Sequence, residues 1–266
     1  MMNLQTIRTP TSTIEFKFSA NPCCPTLVFL HGLGANLSQF DHQHLFFANH
    51  FQIVSLNIRG HGNSSSTYPF SLVGCAQDVI ELLDALSIEH FHFIGNSMGG
   101  NVGYELLKTF SHRLRSITTF GTTAELNTSK TTTNILTLIY RILPIRLIAQ
   151  LASGAGQTTS SKKIIQTMMR QMNKRSLIAI VPVLACFNYL HVIENSQTPF
   201  LIIKGAKDSE INNVLGSTLT AFETRGHFTL LELDFMGHFA NLDAPDTFNK
   251  SLLDFLSNVE EVSDTK

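Results

Sequence analysis

Ser97 stands between glycines in Gly95-Asn96-Ser97-Met98-Gly99, directly after an apolar run at 91–94 and just before a helix-like segment at 101–110. A serine on so tight a strand-to-helix turn is pushed out of the sheet, and only residues without a Cβ let main chain approach main chain that closely. Its hydroxyl is then placed to act as a nucleophile. A glycine-rich helix start with a capping serine would look the same from these five residues alone. The reading therefore depends on the rest of the chain.

Acyl transfer by serine needs a base for the hydroxyl proton, a carboxylate to fix the base's tautomer, and N–H donors for the oxyanion. His238, in Phe235-Met236-Gly237-His238-Phe239, follows a strand-like run at 228–233 and precedes a final helix near Pro245. It is the expected base, preferred over His227, which begins a strand instead of following one. Asp208 ends Ile202-Ile203-Lys204-Gly205-Ala206-Lys207-Asp208 close to a rigid strand end and is the expected carboxylate. Glu210 is its nearest rival and Glu125 a weaker one. Phe29-Leu30-His31-Gly32-Leu33-Gly34 closes the run at 26–30 with a loop where an oxyanion hole is needed, although an ordinary strand-to-helix turn could read the same. The backbone N–H groups of Leu33 and Met98 are the expected oxyanion donors.

With its residues in the order Ser97, Asp208, His238, the chain resembles the α/β-hydrolases over nearly its whole length. Asn57-Ile58-Arg59-Gly60-His61-Gly62-Asn63-Ser64 is similar to that family's Asp-x-Arg-Gly-x-Gly-x-Ser segment. Asn57 replaces the usual aspartate, a change expected to alter only hydrogen bonding beneath the site. The resemblance implies a serine carboxylic ester hydrolase working through an acyl-enzyme, with no cofactor. A serine at the elbow argues against haloalkane dehalogenase and epoxide hydrolase chemistry, which in relatives uses an aspartate there. Lipases, lysophospholipases, thioesterases, carbon–carbon bond hydrolases and cofactor-free haloperoxidases share the same triad, and some relatives are small-molecule receptors with little turnover.

These residues need a scaffold, and the hydrophobic pattern supplies one. Strand-like runs fall at 14–18, 26–30, 51–57, 91–95, 116–120, 200–204 and 228–233, with helical patterns between most of them. In 72–86, Val73, Ala76, Ile80 and Leu83 recur at helical spacing, leaving Asp78, Glu81 and Asp84 for solvent. Such alternation predicts an α/β-hydrolase fold: a mainly parallel sheet with helices on both faces. It breaks between about 122 and 196, where no convincing strand appears and helices are expected at 133–143, 145–152, 162–173 and 177–190. The expected organisation is a core of 1–121 and 197–266 with a helical lid inserted at 122–196.

In the resemblance, such a lid covers the nucleophile and forms much of the acyl pocket. His31, Leu138, Leu143, Met169, Met172 and Phe187 are the expected substrate-lining residues. Between 122 and 196 eight basic residues face only Glu125 and Glu194, leaving +6, so the remainder carries −7 within an overall −1. Arg141, Arg146, Lys162, Lys163, Arg170, Lys174 and Arg175 are candidates for docking an acidic acyl-carrier protein, as in the similar pimeloyl-carrier methyl ester esterases, or an anionic lipid surface.

Charged residues make up 15 % of the 266 residues, against an average of about 25 %. This apolar balance suits an acyl substrate. The chain is long enough to bury a core without disulfides, and its four cysteines form no framework or zinc spacing, with Cys75 and Cys186 falling in apolar helical patterns. His42, His44 and His50 lack a neighbouring acidic or cysteine cluster, so no metal is expected and they read as helix-surface residues. A slightly negative net charge and the lack of a recognition motif argue against nucleic acid. The first residues carry no apolar core of signal-peptide length and no run spans a bilayer, so the expected address is the cytoplasm.

Overall fold

Val28 and Leu30 point to one side of the sheet and Leu27 and Phe29 to the other, and both sides are fully buried. A strand apolar on both faces must be covered on both, which is why the central strands read as unbroken apolar runs. A computed structural model describes residues 2–264. Its strands are β1 (Leu4–Arg8), β2 (Ser12–Ser19), β3 (Thr26–Leu30), β4 (Gln52–Leu56), β5 (Ser65–Ser66), β6 (Phe91–Asn96), β7 (Leu114–Phe120), β8 (Glu125–Asn127), β9 (Cys186–Asn188), β10 (Phe200–Gly205) and β11 (Thr229–Leu233). The main sheet runs β1-β2-β4-β3-β6-β7-β10-β11, with β5 pairing β2. From β4 through β11 its neighbours are parallel, whereas β1, β2 and β5 form an antiparallel edge.

One face packs under helices Leu72–Ala85 and Met98–Phe110, which contribute Val79, Leu83, Val102 and Leu106. The other carries Phe40, Phe47 and the C-terminal helix Pro245–Asp264, which contributes Phe248, Leu252 and Leu256. That helix is also tied to the sheet through His92, whose Nδ1 lies 2.8 Å from Ser116 Oγ and whose Nε2 lies 3.0 Å from Glu260 Oε1.

The helix Leu72–Ala85 departs from its expected orientation at two residues. Val73 is exposed, and Asp78 is buried instead of facing solvent. Arg59, arriving from the loop after β4, takes both Asp78 oxygens at 2.7 and 2.8 Å, and this bidentate pairing makes the burial tolerable. His44 is likewise not a surface residue: its ring lies edge-on to Phe29 at 5.8 Å, and burial lowers its pKa. Strand β1 gives little apolar signal because most of its side chains are exposed.

The segment expected to form the lid contains a strand pair that its helical pattern hides. Strands β8 and β9 pair antiparallel, Leu126 opposite Phe187, and close the two ends of the insertion on each other. The helices between them are Lys130–Ile142, Ile145–Ala152, Thr159–Gln171 and Lys174–Leu184. The last stops at Leu184, with Pro182 in its final turn, because the chain must extend at 186–188 to pair with β8. Cys186 is consequently an exposed strand residue and not part of a helix. Among the described residues no helix is long and apolar enough to cross a membrane.

Asn57 has an explicit place beneath the site. Its Oδ1 accepts the Leu37 N–H at 3.0 Å and its Nδ2 donates to Glu15 Oε2 at 2.5 Å, all three residues being buried. An aspartate here would set one carboxylate against another. Asn57→Asp is expected to lower stability by about 2–4 kcal/mol, a fall of roughly 5–15 °C in Tm. A thermal melt with unchanged Tm would contradict this account of the substitution.

Candidate active site

Ser97 has φ 52° and ψ −121°, between strand β6 and the helix Met98–Phe110. A side-chain-bearing residue held in that region costs about 1–3 kcal/mol and persists only where its surroundings enforce it. Here they do. A Cβ on Gly95 would lie 2.6 Å from the Gly99 main chain, and one on Gly99 would collide with the Leu30 carbonyl. The Ser97 N–H is fixed by the Phe120 carbonyl at 2.9 Å.

The loop after β3 presses on this elbow, since a Cβ on Gly32 would sit 3.0 Å from Ser97 Cβ. Its amides are almost all committed. Gly32 donates to Gln39 Oε1 at 3.4 Å, Gly34 to His61 Nε2 at 3.0 Å and Ala35 to the Gly32 carbonyl at 3.2 Å. Among the described residues the Leu33 N–H has no such acceptor. Met98 is the first residue of its helix, so its N–H also lacks an intrahelical acceptor.

His31 was expected to line the substrate site, but it is buried beneath this loop. Its Nδ1–H donates to the Gly32 carbonyl at 2.8 Å and its Nε2 accepts the Ile58 N–H at 3.1 Å. Burial lowers its pKa to about 4. Burial, and then the neighbouring His31, push His61 well below the ordinary imidazole value. Two neutral rings, 4.9 Å apart and edge-to-face, thus clamp the loop from below.

Asp208 and His238 are in direct contact, Oδ2 to Nδ1 at 2.9 Å. Asp208 is buried at the end of β10, while the His238 side chain remains 19 % exposed. Gly205 and Gly121 permit the approach: a Cβ on Gly205 would lie 2.5 Å from the Gly237 carbonyl, and one on Gly121 would lie 2.6 Å from the His238 carbonyl. The rivals are elsewhere. Glu125 accepts from Asn188 in the lid stem, and Glu210 and His227 are exposed.

Several residues that position these loops leave no pattern in the sequence. Asn96 Nδ2 donates to the carbonyls of Phe120 at 3.1 Å and His238 at 2.9 Å, while its Oδ1 accepts Gln39 Nε2 at 2.9 Å. Gln39 continues to Asn241, whose Nδ2 donates to the Gln39 carbonyl at 2.8 Å and to Gln43 Oε1 at 3.0 Å; Gln43 then reaches Asn249 Oδ1 at 2.7 Å. This buried chain of uncharged amides joins the elbow, the loop after β3 and the histidine loop. Asp243 extends the linkage to the helical segment between β8 and β9: Oδ2 accepts the Gly237 N–H at 2.9 Å and Oδ1 accepts the Gln157 N–H at 2.7 Å. Asn96 is visible in the pentad, but nothing in its spacing signals a partner 142 residues away.

The expected lid lining divides. Met169 is buried against Gly34, Met172 is buried in the main core, and Leu143 and Phe187 are half-buried. Leu138 is not in the lining: it lies on the outer face of its helix, 54 % exposed. Of the seven expected docking residues Lys174 is half-buried and the other six are exposed. A cavity of about 380 Å³ opens between the loop after β4 and the helix Lys174–Leu184, lined by Arg59, Ser64, Tyr68, Phe70, Ser176 and Ile180 among others. Neither Ser97 nor His238 borders it.

Removing the Asn96 amide should loosen the histidine loop and leave Gln39 Nε2 only its longer bond to Asn241 Oδ1. Asn96→Ala is expected to cost about 2–4 kcal/mol of stability and to lower kcat for hydrolysis by roughly 10–100-fold with little change in KM. Steady-state kinetics at a temperature where circular dichroism shows the variant folded will check this; wild-type kcat would refute the positioning role.

Among curated proteins, the chain is 27 % identical over 236 residues to 3-oxoadipate enol-lactonase 2 of Acinetobacter baylyi, covering 86 % of this chain and 87 % of that protein. It is 23 % identical over 244 residues to a putative carbamate hydrolase of Agrobacterium fabrum, covering 87 % and 93 %. Among solved structures, a hydrolase from Pseudomonas aeruginosa PA01 superposes with a TM-score of 0.85 at 22 % identity, over 96 % of this chain and 98 % of that one. The enol-lactonase from Burkholderia xenovorans LB400 gives 0.83 at 21 %, over 92 % and 97 %. The model of the alpha/beta hydrolase fold family matches residues 25–245, a span that takes in the elbow, the loop after β3 and the histidine loop, and the chain belongs to that family.

Proposed function

We propose that this hydrolase cleaves a carboxylic ester through an acyl-enzyme on Ser97. The observation that carries the reading is the contact of 2.9 Å between His238 Nδ1 and Asp208 Oδ2, with the histidine carbonyl held by the residue next to Ser97. With Nδ1–H donated to the carboxylate, Nε2 is the ring nitrogen free to take the serine proton, and Asp208 stabilises the imidazolium that forms. Ser97 Oγ attacks the carbonyl carbon. The N–H groups of Leu33 and Met98 receive the oxyanion, His238 returns the proton to the departing alcohol, and water then releases the acid by the same steps.

Support for an ester comes from similarity to relatives named for a lactone, which is an internal ester, and for a carbamate. Both names imply attack at a carbonyl that carries a heteroatom leaving group. The half-buried, apolar Leu143 and Phe187 on the lid favour an apolar acyl group. A thioester would follow the same path, and a rate profile over acyl length and leaving group separates the two.

A fluorophosphonate probe should label the wild type and leave Ser97→Ala unlabelled. Ester turnover is expected to fall by about 10³-fold or more in Ser97→Ala and in His238→Ala. A folded wild type that resists the probe would favour a ligand receptor with little turnover, and activity surviving intact in His238→Ala would remove the assigned base.

A further inference from the structure

Residues 126–193 contain no aspartate or glutamate and eight lysines and arginines. None of these eight forms an ion pair among the described residues, and Lys174 Nζ instead donates to the Arg141 carbonyl at 2.8 Å. The helix Lys130–Ile142 buries no residue fully. Its half-buried Thr133, Thr137 and Tyr140 mark the inward face, at spacings of four and three residues. Ile135, Leu138, Ile139 and Ile142 occupy the opposite face, and Leu147 and Leu151 project one turn apart from the next helix, Ile145–Ala152. These six aliphatic side chains are between 40 and 70 % exposed.

Exposed apolar side chains on adjoining helices, flanked by Lys130, Arg141 and Arg146, are not what a surface evolved only for water contains. We propose that the outer face of this lid docks on an anionic phospholipid bilayer, its isoleucines and leucines entering the acyl boundary while the basic residues meet the headgroups. An apolar centre with a cationic flank is the composition that lies in a membrane interface. A stretch without carboxylates meets no repulsion from an anionic leaflet. An acidic carrier protein would use the basic residues through ion pairs but gives no reason for six large aliphatic residues to project into water. Two tethers carry the lid's position to the catalytic loops: Asp243 binds the Gln157 N–H, and Asn36 Nδ2, just beyond the loop after β3, donates to Gln171 Oε1 at 2.8 Å. A docked lid would hold the elbow close to the bilayer. The binding itself does not depend on the serine chemistry and can be measured apart from turnover.

The test is co-sedimentation of the full chain with vesicles of phosphatidylglycerol and phosphatidylcholine in equal amounts, compared with phosphatidylcholine alone. Partition onto the anionic vesicles is expected to be at least about tenfold stronger and to weaken as salt is raised. Ile139→Gln/Ile142→Gln/Leu151→Gln, which changes only exposed side chains, should reduce that partition by at least about tenfold while turnover of a short soluble ester stays at wild type. Arg141→Glu/Arg146→Glu should erase the preference for anionic lipid. Absence of partition on either vesicle at low salt would overturn the proposal, as would partition unchanged in the triple variant. So would a wild type that binds an acidic acyl-carrier protein but no vesicle, or a dimer in solution that the triple variant dissociates.

Discussion

The close approach of main chain to main chain around Ser97 is the constraint on which the remaining site geometry depends. A serine at φ 52° is tolerable only because Gly95 and Gly99 allow strand and helix to meet without intervening side chains, and because Gly32 brings the loop after β3 against Ser97 Cβ. The strain of about 1–3 kcal/mol is local and is held in place by the largely buried strands on either side of β6. Among the described residues the Leu33 amide has no acceptor, and the Met98 amide, first in its helix, has none within the helix.

The surroundings are held largely by neutral groups. Amides of Asn96, Gln39, Asn241, Gln43 and Asn249 span from the elbow to the C-terminal helix, and the imidazoles of His31 and His61 are kept uncharged by burial. Neutral donors and acceptors can be satisfied in a dry interior at far lower desolvation cost than ions. Where charge is buried, it is paired or hydrogen-bonded: Asp78 with Arg59, and Glu15 with Asn57 and Asn63.

The elements that position the site were legible because they are apolar runs with glycine punctuation. Strand β3 spans the expected 26–30, and the other five central or parallel strands lie within two residues of their expected bounds. The lid helix Ile145–Ala152 also has its expected bounds. What stayed hidden shares one physical cause, since contacts set by tertiary structure leave no period in the chain. Asp78 reads as solvent-facing until Arg59 is brought to it, and His31 reads as a pocket residue until both ring nitrogens are seen to hold main chain. Asn96 and Asp243 join segments remote in sequence through single hydrogen bonds, and the pair β8 and β9 is too short to alternate visibly. Leu138 differs for a related reason: an apolar residue at helical spacing implies a covered face, and this face is exposed.

The central claim is that the elbow and the loop after β3 together build the site for a developing oxyanion, with His238 and Asp208 serving the serine. It is tested most directly by a crystal structure of the protein inhibited with a fluorophosphonate, whose tetrahedral phosphorus mimics the intermediate. The account predicts phosphorus bonded to Ser97 Oγ and its phosphonyl oxygen within about 3 Å of both the Leu33 and Met98 nitrogens. An adduct on another residue, or a phosphonyl oxygen turned away from those two amides, would contradict it.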